Sequence, residues 1–248
     1  MPEFEHLPKA PIIEALIDVR VRLPRGDALE PIHAFADAIE SDYPDRRERT
    51  RGQVQLELSA PGAVEVAAKS ATIDGLVLHS ADGRQIVQGR LDGFTFSRLT
   101  PYQGWNDIQR EARRLWQQYD KCVKPAAVQR LAVRCINRIL LPTPVGQFSD
   151  WIKTLPVVAA GLPQSLAGFL LRLQMPFDEL DARANVVLAV EPGDFQHDVP
   201  ILFDIDAFLM PREALRDDML WEKMDDLRII KNNVFFETLT EKALELFR

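Results

Sequence analysis

Arg130, Arg134 and Arg138 recur every four residues in the run RLAVRCINRIL. Read as a strand, that spacing puts the three guanidiniums on one face and Leu131, Val133, Cys135 and Ile139 on the other. An unpaired buried charge is too costly to keep, so these arginines must meet carboxylates, water or a bound anion. Two more, Arg20 and Arg22, share the polar face of IIEALIDVRVRL with Glu14 and Asp18, while Asp204 and Asp206 share one face of the strand containing FDID. One reading is an anion cradle, because a guanidinium donates two parallel hydrogen bonds to phosphate or carboxylate. In it Arg130, Arg134 and Arg138 are the donors, Arg20 and Arg22 assist, and Asp18, Asp204 and Asp206 orient them. The other reading is cross-strand ion pairing that simply makes charges tolerable on a sheet.

Other constellations carry less chemistry. Asp204 and Asp206 are a thin oxygen set for a divalent metal, and pairing with Arg172 or with the arginine strand accounts for them better. The cluster Arg46, Arg47, Arg49, Arg51 has only Tyr43 as a neighbouring aromatic, so it reads as a solvated loop rather than a nucleic-acid contact. His6, His33, His79 and His197 are scattered, without zinc-ligand spacing. There is no GxGxxG, GxxxxGK[ST] or GxSxG, which withdraws support from common nucleotide-dependent and hydrolase mechanisms. Trp105, Trp116, Tyr119, Trp151 and Trp221 read as core anchors on helices. No cofactor and no metal are expected.

The chain has 248 residues, 46% hydrophobic and 27% charged, with a formal net charge of −7. That balance describes an ordinary globular protein and disfavours broad electrostatic capture of nucleic acid or acidic membrane, although a local basic face remains compatible with it. Cys122 and Cys135 are not expected to be bridged. With no secretory signal and no apolar stretch near the roughly 20 residues of a membrane span, a cytoplasmic location is expected.

Elements that would position these residues follow from periodicity. Ile13, Ala15, Ile17, Val19 and Val21 alternate with polar residues in a first strand. A helix follows, capped by Asp27 and carrying Leu29, Ile32, Phe35, Ala36 and Ile39. Strands are read at Gln53 to Leu58, Leu76 to His79, Gln85 to Arg90 and Phe94 to Arg98, with Asp82-Gly83 and Asp92-Gly93 as turns. A helix from about Gly104 closes the first half. The second half repeats the order. The arginine strand leads to a short helix near Ser149 to Leu155, then to strands near Phe169 to Met175, Asn185 to Val190 and Ile201 to Phe208. A long C-terminal helix ends with a break near Asn232 to Glu237, and Thr238 or Thr240 caps a last short helix ending at Phe247. The expected fold class is α+β, as two similar β-α-β(3–4)-α halves, residues 1–122 and 123–248, with antiparallel sheets backed by helices. If the halves join through their first strands, Ile12 to Leu23 and Arg130 to Leu141 lie at the centre.

The phrases LPKAPIIEALIDVRV, FTFSRLTPYQGWNDIQREARRLWQQY, RLAVRCINRILLP, ILFDIDAF and NNVFFETLTEKALELF occur in order along the whole chain. Together they resemble a sporadically distributed family of bacterial proteins of about this length with no assigned activity. Where that family tends to carry an aromatic residue before Ile136, this chain has Cys135, which argues against a chemical role for the thiol. The topology resembles a duplicated TATA-binding-protein-like or helix-grip arrangement, which carries no function with it. The expected function is a non-catalytic binding module for an anionic ligand or a protein partner. The alternatives are a metal-dependent enzyme acting on a nucleotide or phosphorylated substrate, and a structural subunit that assembles with itself.

Overall fold

The computed structural model describes residues 4–24, 28–60, 63–192, 198–215 and 217–248, and the side chains of 53–60 and 63–70 lie outside that description. The first-half strands are β1 (Ile12–Arg22), β2 (Asp45–Ala60), β3 (Ala63–His79), β4 (Gln85–Arg90) and β5 (Gly93–Leu99). The second half supplies β6 (Ala127–Pro142), β7 (Leu170–Phe177), β8 (Ala182–Val190) and β9 (Asp198–Leu209). All nine form one antiparallel sheet in the order β2-β3-β4-β5-β1-β6-β9-β8-β7. The opening strands β1 and β6 pair at its middle, and each is flanked by the last strand of its own half. The α+β class with helix-backed antiparallel strands is thus present, with one sheet running through both halves.

The helices are α1 (Glu30–Ala38), α2 (Trp105–Val123), α3 (Asp217–Thr238) and α4 (Glu241–Leu244). Helices α1, α2 and α3 pack on the same side, where the alternate residues Ile17, Val19, Val133, Ile139, Phe203 and Ile205 are almost fully buried. Aromatic rings fill the gap between helix and sheet: Phe94 meets Trp116 and Tyr119 edge-on or tilted, and Phe203 stacks on Phe235 at 5.8 Å. Edge and offset contacts of this kind add to the burial of large apolar surface. Among the described residues no helix covers the opposite face.

Several expectations need correcting. The arginines at 46, 47, 49 and 51 lie inside β2 rather than in a loop, because that strand begins at Asp45 and its charges have partners on both faces. No α-helix separates β6 from β7; a 3-10 turn at Phe148–Asp150 stands where a helix near Ser149 to Leu155 was expected. The two halves therefore differ in a helix and in strand number. Helix α3 passes unbroken through Asn232 to Thr238, since its buried residues Ile230, Val234 and Phe235 keep it against the sheet. A register shift between Ile12 and Glu14 puts Ile12 in the core and leaves Ile13 partly exposed. The proposed Asp27 cap lies outside the described residues, as does His197, and α1 instead starts with proline in its first turn. Thr240 does cap α4, accepting from the Ala243 amide at 3.3 Å.

Candidate functional site

On the uncovered face, side chains from every strand join one connected polar ladder. At the β2 end, Arg49 and Arg51 meet Asp74 of β3, and Arg51 also reaches Asp92 at 3.1 Å. Asp92, in the turn between β4 and β5, accepts from Arg20 at 2.6 Å and from Arg90 at 2.9 Å. Asp18 on β1 then gathers Arg90 at 2.8 Å, Thr95 at 2.7 Å, Arg20 at 3.1 Å and Arg130 at 3.3 Å. From β6, Arg130 reaches both oxygens of Asp206 on β9, at 2.7 and 2.9 Å, and its guanidinium lies 4.5 Å above the Phe208 ring. Asn185 of β8 donates to Asp206 at 3.3 Å, and Gln174 of β7 donates to Asn185 at 3.0 Å, which completes the crossing. Beside this line, Arg134 grips Asp204 through two bonds at 2.8 and 2.5 Å, and Arg138 meets Glu191 at 2.8 Å.

Backbone geometry lets the ladder close at its centre. Gly93 sits opposite Arg20 with φ +152°, and a Cβ there would stand 2.2 Å from the Val19 carbonyl oxygen. Only glycine fits such an approach, and it lets Arg90 and Arg20 converge on Asp18 and Asp92.

Burial and charge pull against each other at these carboxyls. Burial pushes the Asp18 carboxyl up, but Arg90, Thr95 and Arg20 outweigh it, so the group is held below the usual carboxylate range. The same competition lowers Asp92, where Arg90 and Arg20 overcome burial. On the other side of the centre, the hydrogen bonds from Arg134 to Asp204 raise the guanidinium's own pKa against the opposing effect of burial.

The structure brings most of the expected residues together. Arg130, Arg134, Arg20, Asp18, Asp204 and Asp206 are all in or beside the ladder; Arg138 sits at its margin with Glu191, and Arg22 is exposed at the end of β1. Asp204 and Asp206 are engaged by the arginine strand rather than by Arg172. No group of three or more His, Cys, Asp or Glu among the described residues is arranged to hold a metal. Cys122 and Cys135 are free thiols.

Sequence reasoning missed Arg90, Asp92 and Thr95, which read only as a strand end, a turn and a polar strand residue. It also passed over two polar groups on apolar faces. Asn137 alternates with Cys135 and Ile139 on the buried side of β6, and Lys231 falls four residues after Leu227 and three before Val234 in the buried stripe of α3. Those breaks in periodicity were readable signals. A cavity of about 800 Å³ lies on the helix-covered side between α2 and β5 and includes none of the expected residues. Its Glu111 and Asp42 are already held by Arg114 at 2.7 and 2.9 Å.

No protein-family model matches the chain, and a search of curated proteins finds no match. No helix among the described residues is long and apolar enough to cross a membrane.

Proposed function

We propose that this chain is a binding module that recognises an anionic partner through the arginine-topped face of its sheet. The observation supporting this reading is a gradient of exposure within the ion pairs. The Arg134 side chain is 40% exposed over Asp204 at 15%, and Arg138 is 49% exposed over Glu191 at 27%. Arg20 likewise stands above a nearly buried Asp18. At these three pairs an approaching surface meets guanidiniums first and carboxylates second, whereas at the centre Asp92 is more open than the buried Arg90.

Each guanidinium has five N–H donors and no acceptor. Arg134 spends Nε and Nη2 on Asp204, which leaves Nη1 for a ligand. The carboxylates beneath therefore orient the arginines without exhausting them, and ordering them in advance lowers the entropy lost on binding. Among the principal ladder residues, Arg20, Arg49, Arg51, Arg90, Arg130 and Arg134 face Asp18, Asp74, Asp92, Asp204 and Asp206, with Glu14 also acting on Arg134, so the face is near charge balance on a chain whose net charge is −7. The partner that fits is an acidic protein segment that comes close enough to use the outer donors.

Fluorescence anisotropy with a labelled oligoglutamate peptide tests the reading, with single-stranded DNA and polyphosphate of matched charge as comparators. Binding of the peptide is expected to weaken with salt and to fall about tenfold when Arg134 and Arg138 are both changed to Ala, at ~0.5–1 kcal/mol per exposed pair. Peptide affinity unchanged in that double variant overturns the assignment. Preferential capture of DNA redirects it to nucleic acid.

A further inference from the structure

The side of the sheet opposite the arginine ladder holds a second candidate. A cavity of about 190 Å³ opens between the start of α2 and the middle of α3, walled by the N-terminal segment and floored by Asn137 of β6. Lys231, Arg228, Tyr102 and Trp105 line it. Lys231 is only 8% exposed, and no carboxylate among the described residues pairs with it. Its polar neighbour is the Cys135 thiol, which burial holds in the protonated, uncharged form against the opposing pull of the lysine. A neutral thiol does not balance an ammonium. A buried cation without a counter-charge is costly, so this position calls for an anion.

The surroundings add to that demand. The Arg228 guanidinium lies 5.9 Å from the Trp105 ring centroid. Glu5 and Asp107 are paired with arginines, Glu5 accepting from Arg248 at 2.7 and 2.8 Å and Asp107 from Arg110 at 2.5 Å, while Asp225 accepts from the Trp105 indole at 2.7 Å and makes no ion pair with Lys231. The 19-residue helix α2 begins at the cavity, and its N-cap, Gly104, supplies no side-chain acceptor for the first-turn amides. Those amides and the helix dipole favour negative charge at this end. His6 and Asn232 also line it, and the rest of the wall is largely apolar, with Leu7, Ile12, Trp105 and Phe235 each at least nine-tenths buried.

We infer that this cavity is a binding site for a small monocarboxylic acid with an apolar body, its carboxylate beside Lys231 and the start of α2 and its body against Ile12 and Phe235. The volume equals roughly six waters at about 30 Å³ each, room for one molecule the size of benzoate or hexanoate. Isothermal calorimetry and thermal shift of the full chain, at constant ionic strength, decide the matter with benzoate and hexanoate against benzyl alcohol and hexanol. The expected result is that the carboxylates bind and raise Tm by mass action while the alcohols do not. Lys231→Met is expected to lose about tenfold or more in affinity, since a charge-assisted hydrogen bond is worth ~1.5–3 kcal/mol. Ala10→Phe, which fills the cavity from its rim, gives a second test that keeps the lysine and is expected to abolish binding. No heat and no shift up to ~10 mM carboxylate, a range that captures a Kd of about 1 mM, overturns the assignment. So does equal binding of the alcohols, or carboxylate affinity that survives both substitutions.

Discussion

Asp18 with Arg90 and Arg134 with Asp204 are chemically the same pair set in two places on one sheet. The first lies at the heart of the first half, with side-chain exposures of 8% and 3%. The second lies one strand beyond the centre, with its arginine nearly half open. A pair sealed from water is held by the cost of leaving either member alone, whereas a pair facing solvent contributes little to stability and keeps donors for a ligand. The face thus divides into a structural centre and a presenting flank. Arg130 joins them, touching Asp18 on one side and Asp206 on the other.

The sharpest break in this comparison is Asp18→Ala. It takes from the buried Arg90 one of its two carboxylates, Asp92 remaining, and removes the acceptor that Arg20, Thr95 and Arg130 share, so chemical denaturation is expected to show a loss of about 3 kcal/mol. A loss under ~1 kcal/mol would mean that the centre behaves like the flank. Acid adds a second readout. Because the folded-state pKa of Asp18 is lowered, its contribution is present above the unfolded carboxyl value of about 3.9 and is lost as pH falls through the lowered value. The stability of the parent chain is expected to decline steeply below about pH 4, and Asp18→Asn to flatten part of that slope.

Arg130→Ala comes next. It removes bonds to two carboxylates and the contact over Phe208, with an expected cost of ~1.5–3 kcal/mol. A double-mutant cycle with Asp206→Ala measures how much of this belongs to the pair, and strict additivity would mean that the ladder does not couple across the central strands. Smallest is Arg134→Ala, expected to change stability by less than about 1 kcal/mol because the side chain is 40% exposed and its pair is screened by water. A large loss of stability there would place Arg134 with the centre and remove the distinction on which the proposed flank rests.

Much of the architecture was legible because it depends on local periodicity. Alternation in IIEALIDVRVRL and RLAVRCINRIL assigns one face of β1 and β6 to the core whatever their neighbours are, and the Trp105 to Tyr119 spacing can only be a helix with one buried side. The Asp-Gly turns before Arg84 and Phe94 were readable for the same reason. Less legible were features whose stability comes from elsewhere. The arginine-rich start of β2 looks like a loop until Leu76, Leu78 and Asp74 of β3 lie beside it. The continuity of α3 past Asn232 depends on the sheet beneath Val234 and Phe235.

The sequence by itself determined that arginines and aspartates share the polar side of a few strands, because side-chain direction in a strand follows from a two-residue repeat. The breaks that Lys231 and Asn137 make in two apolar stripes were readable in it as well, although they were passed over. Tertiary structure alone decided which acid meets which arginine, since Asp18 to Arg90 and Arg130 to Asp206 are bonds across 72 and 76 residues. It likewise decided which member of each pair lies nearer the solvent and which acids near Lys231 are already held. The physical reason is that partner choice and burial depend on strand order and register, and these are set by the packing of the whole sheet against its helices rather than by any short stretch of chain.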